Sequence, residues 1–454
     1  MKLPEFWKTY AAVLALAGLG SYIWFVDRKK LDTPDGGKPK EKVFTLDKAK
    51  VGELTISPAV GETIKLKREG TGWKMTVPAA VPADASAVDS MLGSLESLEI
   101  DEVVTENAGS LTDFGLDKPA LALEVVSQGS SAPLKLLVGG KLADGSGVYA
   151  KLPASNRVFS VASWAASAFE KKPFDLRDRD LLHVKRENVK TLEIAGPQGG
   201  YVLARGDKDE WAFTKPLVTR AGRWPVDSLL GAIENLRMES VASEDAKDLK
   251  ALGLAKPSRT VTIGLLDGSS KTLEIGGGAG DKKWNARLAG APLVAVIPGA
   301  LVDDLAKGMA ELRAKRLLEV ATYEVEGFDV LQGTAKKTCA KSTTKDKDGV
   351  EKAQWKRTAP DPKDVETNKV EDALFKLGGV EVAEFLDQPK EVSAYGLDAP
   401  AFKLVLRMGG GKGEASVELG KKDGLVYARR PGDTAVLRLD PAKADELIKA
   451  FGEL

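Results

Sequence analysis

The sequence predicts an α+β protein of three tandem homologous modules, each a mainly antiparallel β-sheet packed by one or two helices, preceded by a single transmembrane helix. Three observations support this prediction. A Trp-x4-Pro motif occurs three times, with its tryptophans 138 and then 144 residues apart. A Gly-Leu-x-x-Pro motif follows each copy at steps of 138 and 143 residues. Apolar residues alternate before each tryptophan and follow a helical spacing after it. Since order and spacing are both kept, we interpret the chain as a repeat of one unit.

The length of the chain also favours several domains, because 454 residues exceed what a single hydrophobic core usually organises. The motifs divide the chain into five segments. These are an N-terminal transmembrane anchor (1–30), a flexible linker (31–42), and repeat modules 1 (43–180), 2 (181–316) and 3 (317–454).

The anchor is predicted from residues 10–26, which contain no charged side chain. As a helix this segment would be roughly 25 Å long, close to the thickness of a bilayer core. Trp7, just before this segment, and Trp24, near its C-terminal end, are placed like the aromatic belts of membrane helices. A cleaved signal peptide is the alternative, but the apolar run is long for one. Tyr22 and Ile23 also stand where small residues are expected before a cleavage site. We therefore predict an uncleaved signal anchor in the bacterial cytoplasmic membrane.

The orientation of this anchor is predicted against the simplest rule. Basic residues are more numerous after the apolar run than before it, and counting them would place the C-terminal region in the cytoplasm. We expect the C-terminal region in the periplasm instead, because large domains are translocated despite flanking charge. The family resemblance described below favours the same orientation. Residues 31–42 are rich in Pro, Gly and charge and read as a tether.

Each module is predicted to open with strands, since its first apolar residues alternate. The residues concerned are Val51, Leu54 and Ile56 in module 1, Val189, Leu192 and Ile194 in module 2, and Val325, Phe328 and Val330 in module 3.

A helix is predicted after each tryptophan, with its apolar stripe laid on the sheet. The stripes are Val88, Met91, Leu92, Leu95 and Leu98, then Val226, Leu229, Leu230, Ile233 and Leu236, then Val370, Ala373, Leu374, Leu377 and Val380. Asp84 stands before the first of these helices as its expected N-cap.

The Gly-Leu-x-x-Pro motif is predicted to end a short helical turn at its Gly. Strands are expected beyond it at 121–126 and 134–138, at 260–265 and 272–275, and at 402–406 and 416–419. A final helix is expected near 163–171, 299–312 and 441–451. The joints 176–184 and 312–320 match each other and contain no Gly or Pro, so we expect them to dock neighbouring modules.

Charge and rare residues exclude several classes of function. Lys plus Arg and Asp plus Glu both number 66, so no net charge attracts nucleic acid. Cys339 is the only cysteine, which excludes an intrachain disulfide and a cysteine metal cluster. Its cationic neighbours would lower a thiol pKa, but we interpret Cys339 as an incidental thiol in a variable loop. His183 is the only histidine, which removes Ser-His-Asp triads and most zinc sites. We expect it to be solvated or capping.

The glycine runs at 276–280 and 409–413 do not meet the requirements of a phosphate-binding loop, because strands flank them and no Ser or Thr follows the Lys. We predict hairpin turns there. No isolated pair of carboxylates recurs in a predicted cleft. The sequence therefore indicates no catalytic, cofactor-binding or metal residue, and we expect the protein not to be an enzyme.

The repeated tryptophans Trp73, Trp211 and Trp355 allow two interpretations. A Trp before a Pro at a strand end could be a stacking platform for a sugar. The following helix is placed to cover the ring, however, and we predict core packing.

These motifs resemble those of a bacterial family known only as a domain of unknown function, DUF4340. The resemblance rests on the N-terminal anchor, on Trp-x4-Pro at 73–78, on Tyr-Gly-Leu-Asp-x-Pro at 395–400 and on the Val-Tyr-Ala strands, and it extends over essentially the whole chain. It implies a membrane-anchored extracytoplasmic protein, encoded in many cases beside ABC-transporter permeases and gliding-motility-type proteins, with no known catalytic residue. Module 2 departs most, with Leu252 in place of Tyr395 and Asn285 in place of Tyr149.

We expect a non-enzymatic scaffold or accessory subunit that uses no cofactor and contacts a membrane complex such as an ABC transporter. The alternative is an envelope module that binds glycan or peptidoglycan through exposed aromatic residues such as Tyr149 and Tyr427. A third possibility, an uncharacterised hydrolase, would require a cleft with a perturbed carboxylate.

Overall fold

The computed structural model describes residues 40–130, 132–197, 199–207, 209–345 and 351–454. They form three nine-stranded antiparallel sheets, one within each predicted module. The predicted anchor and nearly all of the linker lie outside the described residues. Among the helices that the structure does describe, none is long and apolar enough to cross a membrane.

Module 1 contains nine strands and two α-helices among its described residues. They are β1 (Val51–Pro58), β2 (Ile64–Glu69), β3 (Gly72–Val77), β4 (Val81–Ala83), α1 (Ala85–Glu96), β5 (Glu102–Thr105), β6 (Leu121–Ser127), β7 (Leu134–Lys141), β8 (Gly147–Lys151), β9 (Val158–Ala162) and α2 (Ser163–Ser167).

Module 2 repeats this order, and its final helix is split in two. Its elements are β10 (Val189–Gly196), β11 (Gly199–Arg205), β12 (Trp211–Lys215), β13 (Thr219–Arg220), α3 (Arg223–Glu234), β14 (Ser240–Ser243), β15 (Arg259–Leu265), β16 (Ser270–Gly278), β17 (Lys283–Leu288), β18 (Val294–Pro298), α4 (Gly299–Ala306) and α5 (Met309–Leu312).

Module 3 has the same order with a longer second hairpin. Its elements are β19 (Val325–Gln332), β20 (Ala335–Lys345), β21 (Glu351–Ala359), β22 (Lys363–Val365), α6 (Thr367–Gly379), β23 (Val382–Leu386), β24 (Phe402–Met408), β25 (Gly413–Lys422), β26 (Leu425–Arg429), β27 (Val436–Leu439) and α7 (Pro441–Gly452).

The three sheets share one topology, which in module 1 reads β4-β3-β2-β1-β6-β7-β8-β9-β5. The long helix leaves one edge of the sheet after β4 and delivers the chain to the opposite edge, where β5 pairs with β9. The Gly-Leu-x-x-Pro segment then returns the chain to the centre, where β6 pairs with β1. The motif that the sequence repeats thus lies at the return from the sheet edge to its middle.

The first strand of every module carries a β-bulge that explains its apolar spacing. The register shifts between Val51 and Glu53 in module 1, and at the matching positions of modules 2 and 3. An extra residue in one strand changes the alternation locally, so Val51 and Leu54 both point into the core although they are three residues apart; both are buried.

The predicted helical stripe forms the other half of each core. Val88, Met91, Leu92 and Leu95 of α1 are all buried. Asp84 is the N-cap of this helix, accepting a hydrogen bond from Ala87 N at 3.1 Å, as predicted. The matching residues of α3 and α6 are buried in the same pattern.

The three tryptophans are core residues, which confirms the packing interpretation. Trp73, Trp211 and Trp355 are 4%, 5% and 3% exposed. The Trp73 Nε1–H donates to Asp89 on α1 at 3.2 Å, so the ring is held by the helix that covers it. Each tryptophan strand is followed by a cis peptide bond to proline.

The predicted repeat of mainly antiparallel sheets is confirmed, and the modules are richer in β-structure than the α+β label implies. The described part of module 2 has three α-helices where one or two were expected, because α4 ends at Ala306 and α5 begins at Met309. The chain divides into two compact units, residues up to 178 and residues from 179 to the end, so modules 2 and 3 share one unit.

Candidate functional site

The two rare residues of the chain occupy structural positions. His183 has a positive φ of 47°, its side chain is 57% exposed, and its backbone N–H donates to Asp180 at 2.8 Å. Cys339 does not lie in a variable loop, as the sequence had suggested, but in strand β20, where it is buried in the core of module 3. Burial raises the pKa of its thiol although Arg357, Lys337 and Lys363 act in the opposite direction. The cationic residues near it in the sequence therefore do not activate it.

Two carboxylates of module 3 have shifted pKa values, and both belong to cross-strand ion pairs. Burial alone would raise the pKa of Asp329, but a hydrogen bond from Arg407 at 2.7 Å and its charge hold that pKa below its usual range. Burial alone would likewise raise the pKa of Glu418, but hydrogen bonds from Arg429 and Lys403 hold it below its usual range. A general acid needs a raised carboxyl pKa. The pKa values of Asp329 and Glu418 are lowered instead, as expected for carboxylates in ion pairs. Within the described residues, no group of three or more His, Cys, Asp or Glu is placed to hold a metal ion.

The run at 409–413 forms a hairpin turn, as predicted, whereas in the run at 276–280 only the end lies in the turn, because Gly276 to Gly278 belong to strand β16. Gly280 has a φ of 85° in the turn between β16 and β17, and Gly410 and Gly411 have φ values of 67° and 73° between β24 and β25. Strands flank both runs, and no helix follows either one. These segments therefore lack the strand-to-helix geometry of a phosphate-binding loop.

The Gly of each Gly-Leu-x-x-Pro motif packs against a second glycine, in the strand that follows. Gly396 ends a 3₁₀ helix in the left-handed region, with a φ of 65°, as predicted. It lies so close to β25 that a Cβ added at Gly420 would come within 2.4 Å of the Tyr395 carbonyl oxygen. Modules 1 and 2 show the same crowding at Gly139 and Gly276. Backbone contact therefore requires glycine in that strand.

The residue before this motif packs on the middle residue of the Val-Tyr-Ala strand. In module 3 the rings of Tyr395 and Tyr427 meet edge to face with centroids 5.0 Å apart. Phe114 and Tyr149 make the same contact at 5.1 Å in module 1. In module 2 both aromatic residues are replaced, and Asn285 Nδ2 donates to the Leu252 carbonyl at 3.4 Å. The two departures seen in the sequence of module 2 are therefore two sides of one contact.

This contact bears on the glycan alternative, since Tyr149 and Tyr427 are the rings it invokes. Both are half-buried, and each ring packs against an aromatic ring of its own module. A sugar platform needs an open ring face. The edge-to-face packing accounts for both tyrosines without a ligand.

A cluster of polar side chains, three of which are buried (Thr219, Arg313 and Arg430), lies between modules 2 and 3. We call it the joint cluster: Thr219, Arg220, Arg313, Asp387, Arg430 and Asp433. Three of its members come from module 2 by the predicted boundaries, and three come from module 3. The cluster lies within a single compact unit.

Arg313 forms the first half of the joint cluster. Only 4% of its side chain is exposed, and it binds Asp387 through two hydrogen bonds of 3.1 and 2.6 Å. Its guanidinium lies over the Phe385 ring, 4.1 Å from the centroid. The backbone around it continues the edge of module 2, since Ala314 N donates to the Arg220 carbonyl at 3.1 Å. Such a bidentate, stacked geometry is specific to arginine.

Asp433 forms the second half. Its carboxylate accepts hydrogen bonds from the Thr219 hydroxyl at 2.8 Å and from Arg220 N at 2.7 Å, both in module 2. It also accepts one from Arg430 Nε, and this ion pair is almost fully buried, with exposures of 1% for Arg430 and 0% for Asp433. The remaining Arg430 nitrogens donate to the carbonyls of Ala314, Arg316 and Leu317. Every charge in this half is thus compensated locally.

Arg220 shows the electrostatic effect of this packing. Burial lowers the pKa of its guanidinium, the neighbouring Arg430 adds to that effect, and Asp433 opposes it. Arg220 Nε donates to the Pro431 carbonyl at 2.8 Å. A buried ion cluster of this kind adds little stability over an apolar contact, but its hydrogen bonds across the joint are made in this arrangement of the two modules.

Sequence reasoning missed the joint cluster, although it did predict docking at the joints. The available signal was a difference between repeats: the positions of Arg430 and Asp433 correspond to Leu288 and Ala291 in module 2. Two charges gained in one loop of one copy are a sign of a contact that the other copies do not make.

Comparison with known proteins gives one match. Residues 73–221 and 211–400 match the family model described as Domain of unknown function (DUF4340). The two matches start at Trp73 and Trp211, which are equivalent residues of consecutive modules, so the overlap reflects the internal repeat. No curated protein and no solved structure is detectably similar to the chain.

Proposed function

The chain belongs to the DUF4340 family, and from that membership and its geometry we propose that it is a non-enzymatic scaffold or accessory subunit of a membrane complex. The N-terminal segment 10–26 anchors it in the bacterial cytoplasmic membrane, with the large C-terminal region in the periplasm. Its partner is a membrane complex of the ABC-transporter type. The placement in the membrane rests on the sequence alone.

The observation that carries the proposal is the joint cluster. Arg430 and Asp433 are buried charges, and elsewhere such groups commonly serve catalysis or ligand binding. Here their hydrogen bonds are made to the backbone and side chains of the neighbouring module. A protein whose buried charges hold two modules against each other is suited to present a surface of fixed geometry to a partner.

The shifted carboxylates support the same interpretation, because Asp329 and Glu418 are each held ionised by arginine on an adjacent strand. They lie on sheet surfaces as cross-strand pairs, where opposite charges stabilise strand pairing. Their chemistry is that of a sheet surface and differs from that of a hydrolytic dyad.

The test is purification of the tagged full chain from its native membrane in mild detergent. We expect transporter subunits to copurify with the wild-type protein and to be reduced for Asp433→Ala, which loosens the joint. Asp445→Ala removes an exposed ion pair with Lys421 instead and is the matched control. Repeated recovery of the protein alone would reject the proposal.

Two further measurements separate the alternatives. Cell-wall pulldown with the purified periplasmic region distinguishes a scaffold, which does not sediment, from a glycan-binding module, which does. Protease added to spheroplasts should digest the C-terminal region. Full protection of that region would place it in the cytoplasm and overturn the proposed orientation.

A further inference from the structure

Module 3 exposes two large aromatic side chains on two elements that pack against each other. Phe375 on α6 and Tyr323 in the 3₁₀ helix Thr322–Glu324 are each 79% exposed. That 3₁₀ helix packs against α6. Single exposed apolar residues are common on protein surfaces, but neighbouring exposed aromatic residues are typical of interaction sites. We call Phe375 and Tyr323 the aromatic patch.

The other two modules fill the same place with internal polar contacts. The position of Phe375 corresponds to Gly93 in module 1, and Lys48 Nζ lies 3.8 Å from where a Cβ on Gly93 would stand. The backbone N–H of Lys48 also donates to the Glu96 carboxylate at 3.2 Å. The 3₁₀ helix of module 1 is thus joined to its helix by polar groups.

Module 2 repeats this polar arrangement. The position of Phe375 corresponds there to Gly231, and Lys185 and Arg186 approach the Glu234 carboxylate at 3.5 and 3.7 Å. In module 3 the position of that glutamate is occupied by Gly378. Module 3 therefore has exposed rings where modules 1 and 2 have polar contacts to a helix glutamate, Glu96 and Glu234.

A carboxylate lies beside Phe375 on the surface of α6. Glu371 lies one helical turn before Phe375, on the same face of α6, and it is exposed. The described part of the chain offers it no ion-pair partner. The cations nearby are already engaged, since Lys376 pairs with Asp372 at 2.7 Å and Lys412 with Glu324 at 2.6 Å.

Carboxylates also lie near Lys376, the residue after Phe375, and they raise its pKa. Its hydrogen bond with Asp372 raises that pKa most, and the charges of Glu446 and Glu453 raise it further. Beyond Phe375, a Cβ added at Gly378 or Gly379 would meet no atom within 4 Å. The patch is thus an aromatic surface beside a flat end of the helix, with the Glu371 carboxylate next to it.

We propose that the aromatic patch docks a basic amphipathic protein segment, whose apolar side chain packs on Phe375 and Tyr323 and whose Lys or Arg pairs with Glu371. This proposal rests on the proposed scaffold function, which requires a protein partner. Aromatic rings beside carboxylates attract cationic side chains. The same charge repels an anionic membrane surface, and it repels a second copy of this patch in a symmetric contact.

The test places the photo-reactive amino acid benzoylphenylalanine at position 375 of the full chain in its native membrane. The matched control carries it at position 231, the equivalent helix position of module 2. We expect crosslinks about fivefold more abundant from 375, corresponding to about 1 kcal/mol of preference. Sequencing of the crosslinked peptides should place them in one segment of a partner protein with Lys or Arg flanking apolar residues.

The charge requirement is tested with a synthetic peptide of that segment and the purified protein. Glu371→Lys should weaken its binding about tenfold. The control Asp227→Lys, at the equivalent position of module 2, should leave binding unchanged. Circular dichroism and thermal unfolding of both variants establish that they are folded.

Several results would overturn the docking surface: equal crosslinking from 375 and 231, crosslinks to lipid, to glycan, to an acidic segment or to a second copy of this chain, or unchanged peptide binding by Glu371→Lys. If transporter subunits copurify while position 375 gives none of the expected crosslinks, the docking surface is rejected and the scaffold function stands.

Discussion

Asp433 accepts a hydrogen bond from the hydroxyl of Thr219 at 2.8 Å, although the two residues lie in different modules and 214 residues apart in the chain. Thr219 is completely buried. The contact therefore joins the edge of the module 2 sheet to a loop of module 3 out of reach of solvent, where a lost partner is most costly.

The first prediction follows from that burial. Asp433→Ala should lower the free energy of unfolding by about 3–5 kcal/mol, because it leaves Arg430 buried without its counter-ion. Urea unfolding followed by circular dichroism measures this. Asp445→Ala breaks an exposed pair and should cost less than about 1 kcal/mol.

The double variant Arg430→Leu/Asp433→Ala carries the residues of module 2 at both positions. It should be more stable than Asp433→Ala alone, because the unpaired charge is removed with its partner. A double variant less stable than the single one would show that the buried charge is not the origin of the effect.

The second prediction concerns the repeated tryptophans. Trp73→Ala should destabilise the protein by about 3–5 kcal/mol, as expected for a large side chain removed from a core. The control is Trp164→Ala, since Trp164 is 77% exposed and its loss should change stability by less than about 0.5 kcal/mol. Equal melting temperatures for wild type and Trp73→Ala would contradict the packing role.

The third prediction tests the glycine pair behind the Gly-Leu-x-x-Pro motif. Gly420→Ala should cost about 1–3 kcal/mol, because the new methyl group would lie 2.4 Å from the Tyr395 carbonyl oxygen and the backbone must move. Gly231→Ala is the control, since its Cβ would meet nothing within 4 Å. In a helix interior this change should stabilise by up to about 1 kcal/mol. The prediction fails if both substitutions change the free energy of unfolding in the same direction.

The fourth prediction is a pH dependence. The pKa of Glu418 is lower in the folded protein than its ordinary value of 4.5, so the folded state binds its proton less tightly than the unfolded state. The stability that this group contributes is complete above the unfolded pKa and is lost as the pH falls through the folded pKa. Urea unfolding between pH 6 and about pH 3 should therefore show a smaller acid-induced loss in Glu418→Gln than in wild type.

Arg429→Gln provides the partner variant for this measurement, because Arg429 donates to Glu418 at 2.6 and 3.1 Å. Its acid-induced loss of stability should shrink as well. If neither variant alters the pH profile, the pair does not contribute to the acid sensitivity of module 3.

The fifth prediction uses the single cysteine. Burial raises the pKa of Cys339 and excludes reagents from it, so the native protein should resist alkylation by iodoacetamide at pH 8. The unfolded protein in urea should react like a model thiol and is the internal control. Fast alkylation of the native protein would mean that β20 opens readily.

Much of the repeated architecture could be predicted because each signal is local. The alternation around Leu54 and Ile56, the stripe beginning at Val88 and the N-cap at Asp84 depend on residues a few positions apart. The turn at Gly396 was predicted for the same reason. The family was also recognisable from the sequence, because its motifs mark turns and strand ends.

Pairings between distant strands were not predictable in this way. Periodicity does not reveal that β5 crosses to the far side of β9, since hydrogen bonds along a sheet edge leave no mark in the local pattern. Cys339 was misplaced in a loop because modules 1 and 2 have no equivalent cysteine, whereas it lies in strand β20, where alternate residues face opposite sides of the sheet.

Local spacing and composition alone thus established a tripled, mainly antiparallel module with a Trp-centred core, and they leave the anchor a prediction for residues 10–26. Tertiary structure was needed to bring Asp433 to Thr219, to pair Tyr395 with Tyr427, and to show that Phe375 is exposed where the other modules have polar contacts beside a glycine. The reason is physical: secondary structure follows from neighbours in the chain, whereas buried charges and exposed rings take their meaning from residues that only folding brings together.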